Sequence, residues 1–103
     1  MRLTLLPAPA CEKTRVRFSR IPIYSDDFKR DLDEWLSSPP GLLERVQRLV
    51  EASLRHPLQG LGKPERLKHH GPNVYARRIT QKDRLVYEVH RDRVVFLGAR
   101  GHY

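Results

Sequence analysis

The chain has 103 residues, 39% of them apolar and 31% charged, a length and composition that fit one domain with a modest core rather than a disordered polymer. The single cysteine, Cys11, excludes an intrachain disulfide and a multi-cysteine zinc site, and it suits a reducing compartment, so a cytoplasmic protein is expected. A net charge of +8, with ten basic against four acidic side chains in residues 60–103, points to a polyanionic partner, nucleic acid before membrane.

Residues 1–15 are apolar and broken at Pro7 and Pro9. They are too short and interrupted for a signal sequence and read as a flexible N-terminal extension to a domain spanning 16–103. Residues 16–24 alternate and read as a strand, with Pro22 confining it to an edge. Ser25 followed by Asp26 and Asp27 is a helix start, and Phe28, Leu32, Trp35 and Leu36 recur at helical spacing, so residues 26–36 form a short helix. Pro39 and Pro40 separate it from a second helix whose stripe is Leu42, Leu43, Val46, Leu49, Val50 and Leu54 and which ends near Arg55, ahead of Pro57.

A Gly/Pro loop over 57–64 follows, then a short strand within 65–70. Residues 74–80, 84–90 and 93–100 alternate and are rich in β-branched and aromatic side chains. The short connections at 81–83 and 91–92 make them an antiparallel meander. The expected fold class is therefore α+β, two N-terminal helices packed on one face of a twisted, mainly antiparallel sheet.

Side chains alternate across a sheet. Odd-numbered Ile79, Leu85, Tyr87, Val89, Val95 and Leu97 are expected under the helices. Arg78, Arg84, Arg100 and His102 are even-numbered and gather on the opposite, open face, which they share with Val74, Val86, Val94 and Phe96.

A basic face bearing a histidine and a carboxylate can cleave RNA without a metal ion. The ribose 2′-OH attacks the adjacent phosphate, a base takes its proton, an acid protonates the leaving oxygen, and cations stabilise the phosphorane. Here Glu65 is the candidate base and His102 the candidate acid. Arg84 is the leading phosphate clamp, with Arg78 and Lys68 in support and Arg77 and Arg100 completing the basic set. Tyr103 can stack a base and donate from its hydroxyl. Each residue also has a plainer reading: a solvated loop carboxylate, frayed terminal residues, arginines that keep a sheet soluble. His69-His70 lacks further ligands at metal-binding spacing, and no clustered carboxylates, glycine-rich phosphate loop or Ser-His-Asp pattern is present.

Three blocks carry a resemblance. Gly60-Leu61-Gly62-Lys63-Pro64-Glu65-Arg66-Leu67-Lys68-His69 is similar to the G-x-G-K-P-E-x-L-K-H segment of the YoeB/Txe toxins of the RelE superfamily. Tyr75-Ala76-Arg77-Arg78-Ile79-Thr80 and Asp83-Arg84-Leu85-Val86-Tyr87 resemble that family's aromatic-x-R-R-I-T and x-R-L-V-Y blocks, and Ala99-Arg100-Gly101-His102-Tyr103 resembles its terminal R-x-H-Y. The close likeness covers residues 55–103, and residues 24–54 agree in pattern.

The resemblance implies a RelE-like fold and a ribosome-dependent endoribonuclease that cuts mRNA in the decoding site of the 70S ribosome. It implies neutralisation by a cognate antitoxin, requires no cofactor and no membrane, and leaves a homodimer open. The family's general base falls on Glu65, its phosphate-contacting arginines on Arg78 and Arg84, the lysine of its P-E-x-L-K on Lys68, its general acid on His102 and its terminal tyrosine on Tyr103. Gly101 stands where the family usually has a bulky aromatic residue, and the N-terminal extension has no counterpart. A non-catalytic RNA or ribosome binder, and a gyrase-targeting toxin, are the competing readings.

Overall fold

The computed structural model describes residues 20–101. The N-terminal extension, the first part of the expected strand 16–24, and His102 and Tyr103 lie outside the described residues. The elements are β1 (Ile21–Tyr24), α1 (Asp26–Trp35), α2 (Pro40–Arg55), β2 (Glu65–Arg66), β3 (Val74–Arg78), β4 (Arg84–Val89) and β5 (Arg93–Gly98). They build one five-stranded sheet in the order β1-β5-β4-β3-β2. Only the β1–β5 pair is parallel. Two helices on a mainly antiparallel sheet is the architecture expected from the sequence. None of the described helices is long and apolar enough to cross a membrane.

Local chemistry sets the element ends. Ser25 caps α1 by accepting from the Phe28 N–H at 3.1 Å, while its hydroxyl donates to the Leu97 carbonyl at 3.0 Å and so ties the helix start to β5. The acidic first turn, Asp26 and Asp27, complements the helix dipole. Pro40 opens α2 at a position where its missing N–H costs nothing, and the helix stops at His56, one residue before Pro57. Pro22 sits in β1, an edge strand, as its missing donor requires. The strand expected within 65–70 shortens to two residues.

Phe28 and Trp35 of α1 and Val46 and Leu49 of α2 pack on Ile79, Leu85, Tyr87, Val94, Phe96 and Ala99. A second, smaller cluster of Val74, Ala76 and Val86, with Leu67 and Leu97 against it, lies on the other face of the sheet.

The alternation argument holds for β3 and β4 and fails for β5. Tyr87 faces Tyr75 in one pair and Phe96 in the other. Val94 and Phe96, expected on the open face, are in the core; Val95 and Leu97, expected beneath the helices, are not. The cause is the connection at Arg91-Asp92, closed by the His90 N–H on the Arg93 carbonyl at 2.8 Å. Two intervening residues place positions of opposite parity across from each other, so the inward set switches from odd to even. A bulge then switches it back. Val86 pairs with Gly98 and Tyr87 with Phe96, leaving Leu97 as the extra residue, and Ala99 returns to the core.

Gly62 is the most tightly enclosed of the described glycines. Its φ is +83°, and a Cβ there would lie 2.6 Å from Leu49 Cδ2, 3.1 Å from Arg77 Cβ and 3.3 Å from the Arg78 carbonyl oxygen. Gly62→Ala should therefore cost about 1–3 kcal/mol through overpacking and left-handed strain, read as a lower urea midpoint at unchanged slope.

Candidate active site

The open face is assembled by register. Glu65 lies opposite Ala76, and Ala76 opposite Val86, so the three share one face. Arg78 and Arg84 lie directly opposite each other two residues further along the same strands. Arg78 is thus the diagonal neighbour of Glu65, a spacing of about 7–8 Å between backbones that long side chains span. The small cluster of Val74, Ala76 and Val86 gives these charged groups an apolar base. Glu65 and Lys68 also share a shallow recess of about 410 Å³ with Arg66, Leu67, His69 and His70.

Two arginines placed opposite one another repel unless an anion lies between them. Their settings differ. Among the described residues the Arg78 side chain has no partner, whereas Arg84 is anchored by Nη1, which donates to the carbonyls of Thr80 (2.9 Å), Gln81 (3.2 Å) and Asp83 (3.2 Å). Anchoring through one nitrogen leaves Nε and Nη2 as a fixed fork. The end of β3 is braced from behind by Arg45 of α2, which donates to the carbonyls of Ile79 and Arg78, each at 2.9 Å.

The last described residue joins this group. The Arg84 N–H donates to the Gly101 carbonyl at 3.1 Å, and the Gly101 N–H donates to Asp83 Oδ1 at 2.9 Å. That second bond, opposed by partial burial and helped by Thr80, holds the Asp83 carboxyl below its usual range, so it is ionised at neutral pH.

Two expected RNA contacts are placed elsewhere. Arg77 is completely buried, at 0% exposure, on the helix side of the sheet. Its guanidinium donates to the Tyr87 hydroxyl (3.0 Å) and to the carbonyls of Leu61 (2.7 Å), Gln59 (3.1 Å) and His56. Tyr87 in turn donates to the Pro57 carbonyl at 2.6 Å, and burial raises its pKa, keeping the phenol protonated for that task. Arg77 is therefore the internal anchor of the 56–62 loop, with no access to RNA. Arg100 turns toward α1, pairing with Glu34 at 3.0 Å and lying over the Trp35 ring at 5.4 Å. It lies beyond Gly98, the last residue of β5, so strand register does not hold it in the row of Arg78 and Arg84.

Residues not singled out from sequence hold the segment that follows β5. Asp31 accepts from the Ala99 N–H at 2.8 Å, and Trp35 Nε1 donates to the Ala99 carbonyl at 2.7 Å. Thr80-x-x-Asp83, a turn pattern, was the available signal for Asp83.

The fold agrees with comparisons to known proteins. The model of the YoeB-like toxins of bacterial type II toxin–antitoxin systems matches residues 24–103. The chain belongs to that family. Toxin YoeB of Escherichia coli (strain K12) is 35% identical over 81 residues, covering 79% of this chain and 96% of the relative. Among solved structures, the YoeB/ParE toxin from Agrobacterium tumefaciens superposes with a TM-score of 0.75 at 30% identity, covering 81% of this chain and 99% of that one. The Staphylococcus aureus YoeB dimer gives 0.74 at 27% identity, over 82% and 99%; the same toxin is also solved in complex with YefM. The YoeB-like match starts at Tyr24, so the extension and most of β1 lie outside it.

Proposed function

We propose that this YoeB-like toxin is an endoribonuclease that cuts mRNA in the decoding site of the ribosome. The observation that carries the reading is the register: Arg78 directly opposite Arg84, with Glu65 diagonal to Arg78 on the same open face. Glu65 takes the proton of the ribose 2′-OH, whose oxygen forms a bond to phosphorus. The P–O5′ bond breaks, and His102 gives a proton to the departing oxygen. The products are a 2′,3′-cyclic phosphate and a 5′-hydroxyl. Arg84, Arg78 and Lys68 carry the extra negative charge of the phosphorane, and Tyr103 stacks a base.

Catalysis depends on holding the 2′-OH in line with the scissile bond. A flat face cannot impose that geometry on free RNA, which supports dependence on the ribosome. The toxin's other partner is a cognate antitoxin, as YefM is for the Staphylococcus aureus YoeB, and the dimer of that relative supports self-association here.

The test is a message carrying a single 2′-deoxy sugar at the cut site, presented on purified ribosomes. It should bind and remain uncut, while the ribose message yields a cyclic phosphate end. Binding to ribosomes should also weaken by about 0.7–0.9 log units per log unit of salt for each phosphate neutralised. Efficient cutting of the deoxy message would eliminate the mechanism.

A further inference from the structure

We propose that Asp83 is a positioning residue that fixes where the chain leaves Gly101 relative to the Arg84 guanidinium. The inference rests on the cleavage reading above and adds a residue to it.

Both backbone groups of Gly101 are held by consecutive residues. Its N–H donates to Asp83 Oδ1 at 2.9 Å, and its carbonyl accepts from the Arg84 N–H at 3.1 Å. The turn from 80 to 83 does not need the Asp83 carboxylate to close. The Ile79 and Thr80 N–H groups already donate to the Asp83 carbonyl, at 2.9 and 3.2 Å, and the Thr80 hydroxyl oxygen accepts from the Lys82 and Asp83 N–H groups, at 3.1 and 3.0 Å. Oδ2 accepts a hydrogen bond from the Thr80 hydroxyl at 3.0 Å, which fixes the carboxylate plane. Oδ1 is then aimed out of the turn, at Gly101.

The same turn supplies the three carbonyls that anchor Arg84 Nη1. The phosphate-binding fork and Gly101 are therefore measured from one rigid object. The preceding stretch is fixed independently, because Asp31 and Trp35 hold the N–H and carbonyl of Ala99. Gly101 itself sits at φ +83°, where a side chain is disfavoured, yet a Cβ there would meet nothing within 4 Å. The glycine is needed for the direction of the backbone and not for space.

Three variants and two readouts test this: Asp83→Ala, Asp83→Asn and Gly101→Ala, with single-residue amide exchange at Gly101 and steady-state cleavage of ribosome-bound message. Asp83→Ala should speed Gly101 exchange by about tenfold, the scale of one charge-assisted hydrogen bond. It should lower kcat by about tenfold to a hundredfold while leaving KM within about twofold, because the substrate still binds the arginines while the reacting groups are misplaced. Asp83→Asn keeps an oxygen for the Gly101 N–H and should restore most of both. Gly101→Ala, which changes only backbone preference, should reproduce the kcat loss. Wild-type kcat in Asp83→Ala, unchanged Gly101 exchange, or an Asn variant as poor as Ala would each overturn the assignment. A wild-type protein that cuts nothing sinks the cleavage reading, and the positioning role with it, while Gly101 exchange still reports whether the clamp exists.

Discussion

Arg84→Ala should slow cleavage of ribosome-bound message by about 10²–10³, the usual loss when one preorganised transition-state donor is removed. Fold stability should change by no more than about 1 kcal/mol, because the side chain lies on the open face and the carbonyls it releases can turn to water. Arg84→Lys should fall between wild type and alanine. An ammonium on a flexible stem can hold the Thr80, Gln81 and Asp83 carbonyls or reach a phosphate, but it has no second edge left for bidentate contact. Single-turnover kinetics, with thermal melts of the same samples, separates the two effects. Loss of folding in Arg84→Ala would contradict the face on which the residue is placed.

The adjacent pair Arg77-Arg78 should split in the opposite sense. Arg77→Met should destabilise the fold by about 3–5 kcal/mol, since it strands the Leu61, Gln59 and His56 carbonyls around a buried site. Against a typical total of about 5–15 kcal/mol, that leaves a marginal protein. Arg77→Lys should rescue little, because three donors on a flexible stem cannot replace a planar fork reaching four oxygens. Arg78→Ala, one residue away and exposed, should melt within about 0.5 kcal/mol of wild type and lose activity. Urea denaturation of the three variants decides this. Equal stability of Arg77→Met and wild type would mean that the 56–62 loop is held by something else.

The helices were legible because their stripes are uninterrupted and their ends carry Ser25, Pro40 and Pro57. Strand existence was legible from alternation, but facing was not, and the reason is specific. The parity of a strand is inherited through its connection, and the two residues at Arg91-Asp92 invert it. Counting that turn would have put Val94 and Phe96 inside. The bulge at Leu97 had no comparable mark, and Arg100 lies beyond the end of β5, where alternation no longer applies, so its turn toward Glu34 needed the structure. Arg77 was available from the alternation itself, which turns it inward as it turns Arg78 outward. Counting it with the basic set left that unused. At the site, Glu65, Arg78 and Arg84 were singled out by chemistry and resemblance, and register brings them to one face. The role of Asp83 depends on a contact with Gly101, eighteen residues away, which no local pattern encodes.

The parallel pairing of β1 with β5 joins the first described strand to the last one. A growing polypeptide that has been translated only as far as β4 holds two amphipathic helices whose partners Val94, Phe96 and Ala99 do not yet exist. Its β1 has no neighbour to pair with, since β5 is the only strand beside it. Ile79, Leu85 and Tyr87 then offer the helices only part of their burial, and the costly long-range closure comes late in synthesis. During translation the nascent chain should accordingly remain inactive, with the basic open face arising in one cooperative step rather than by degrees.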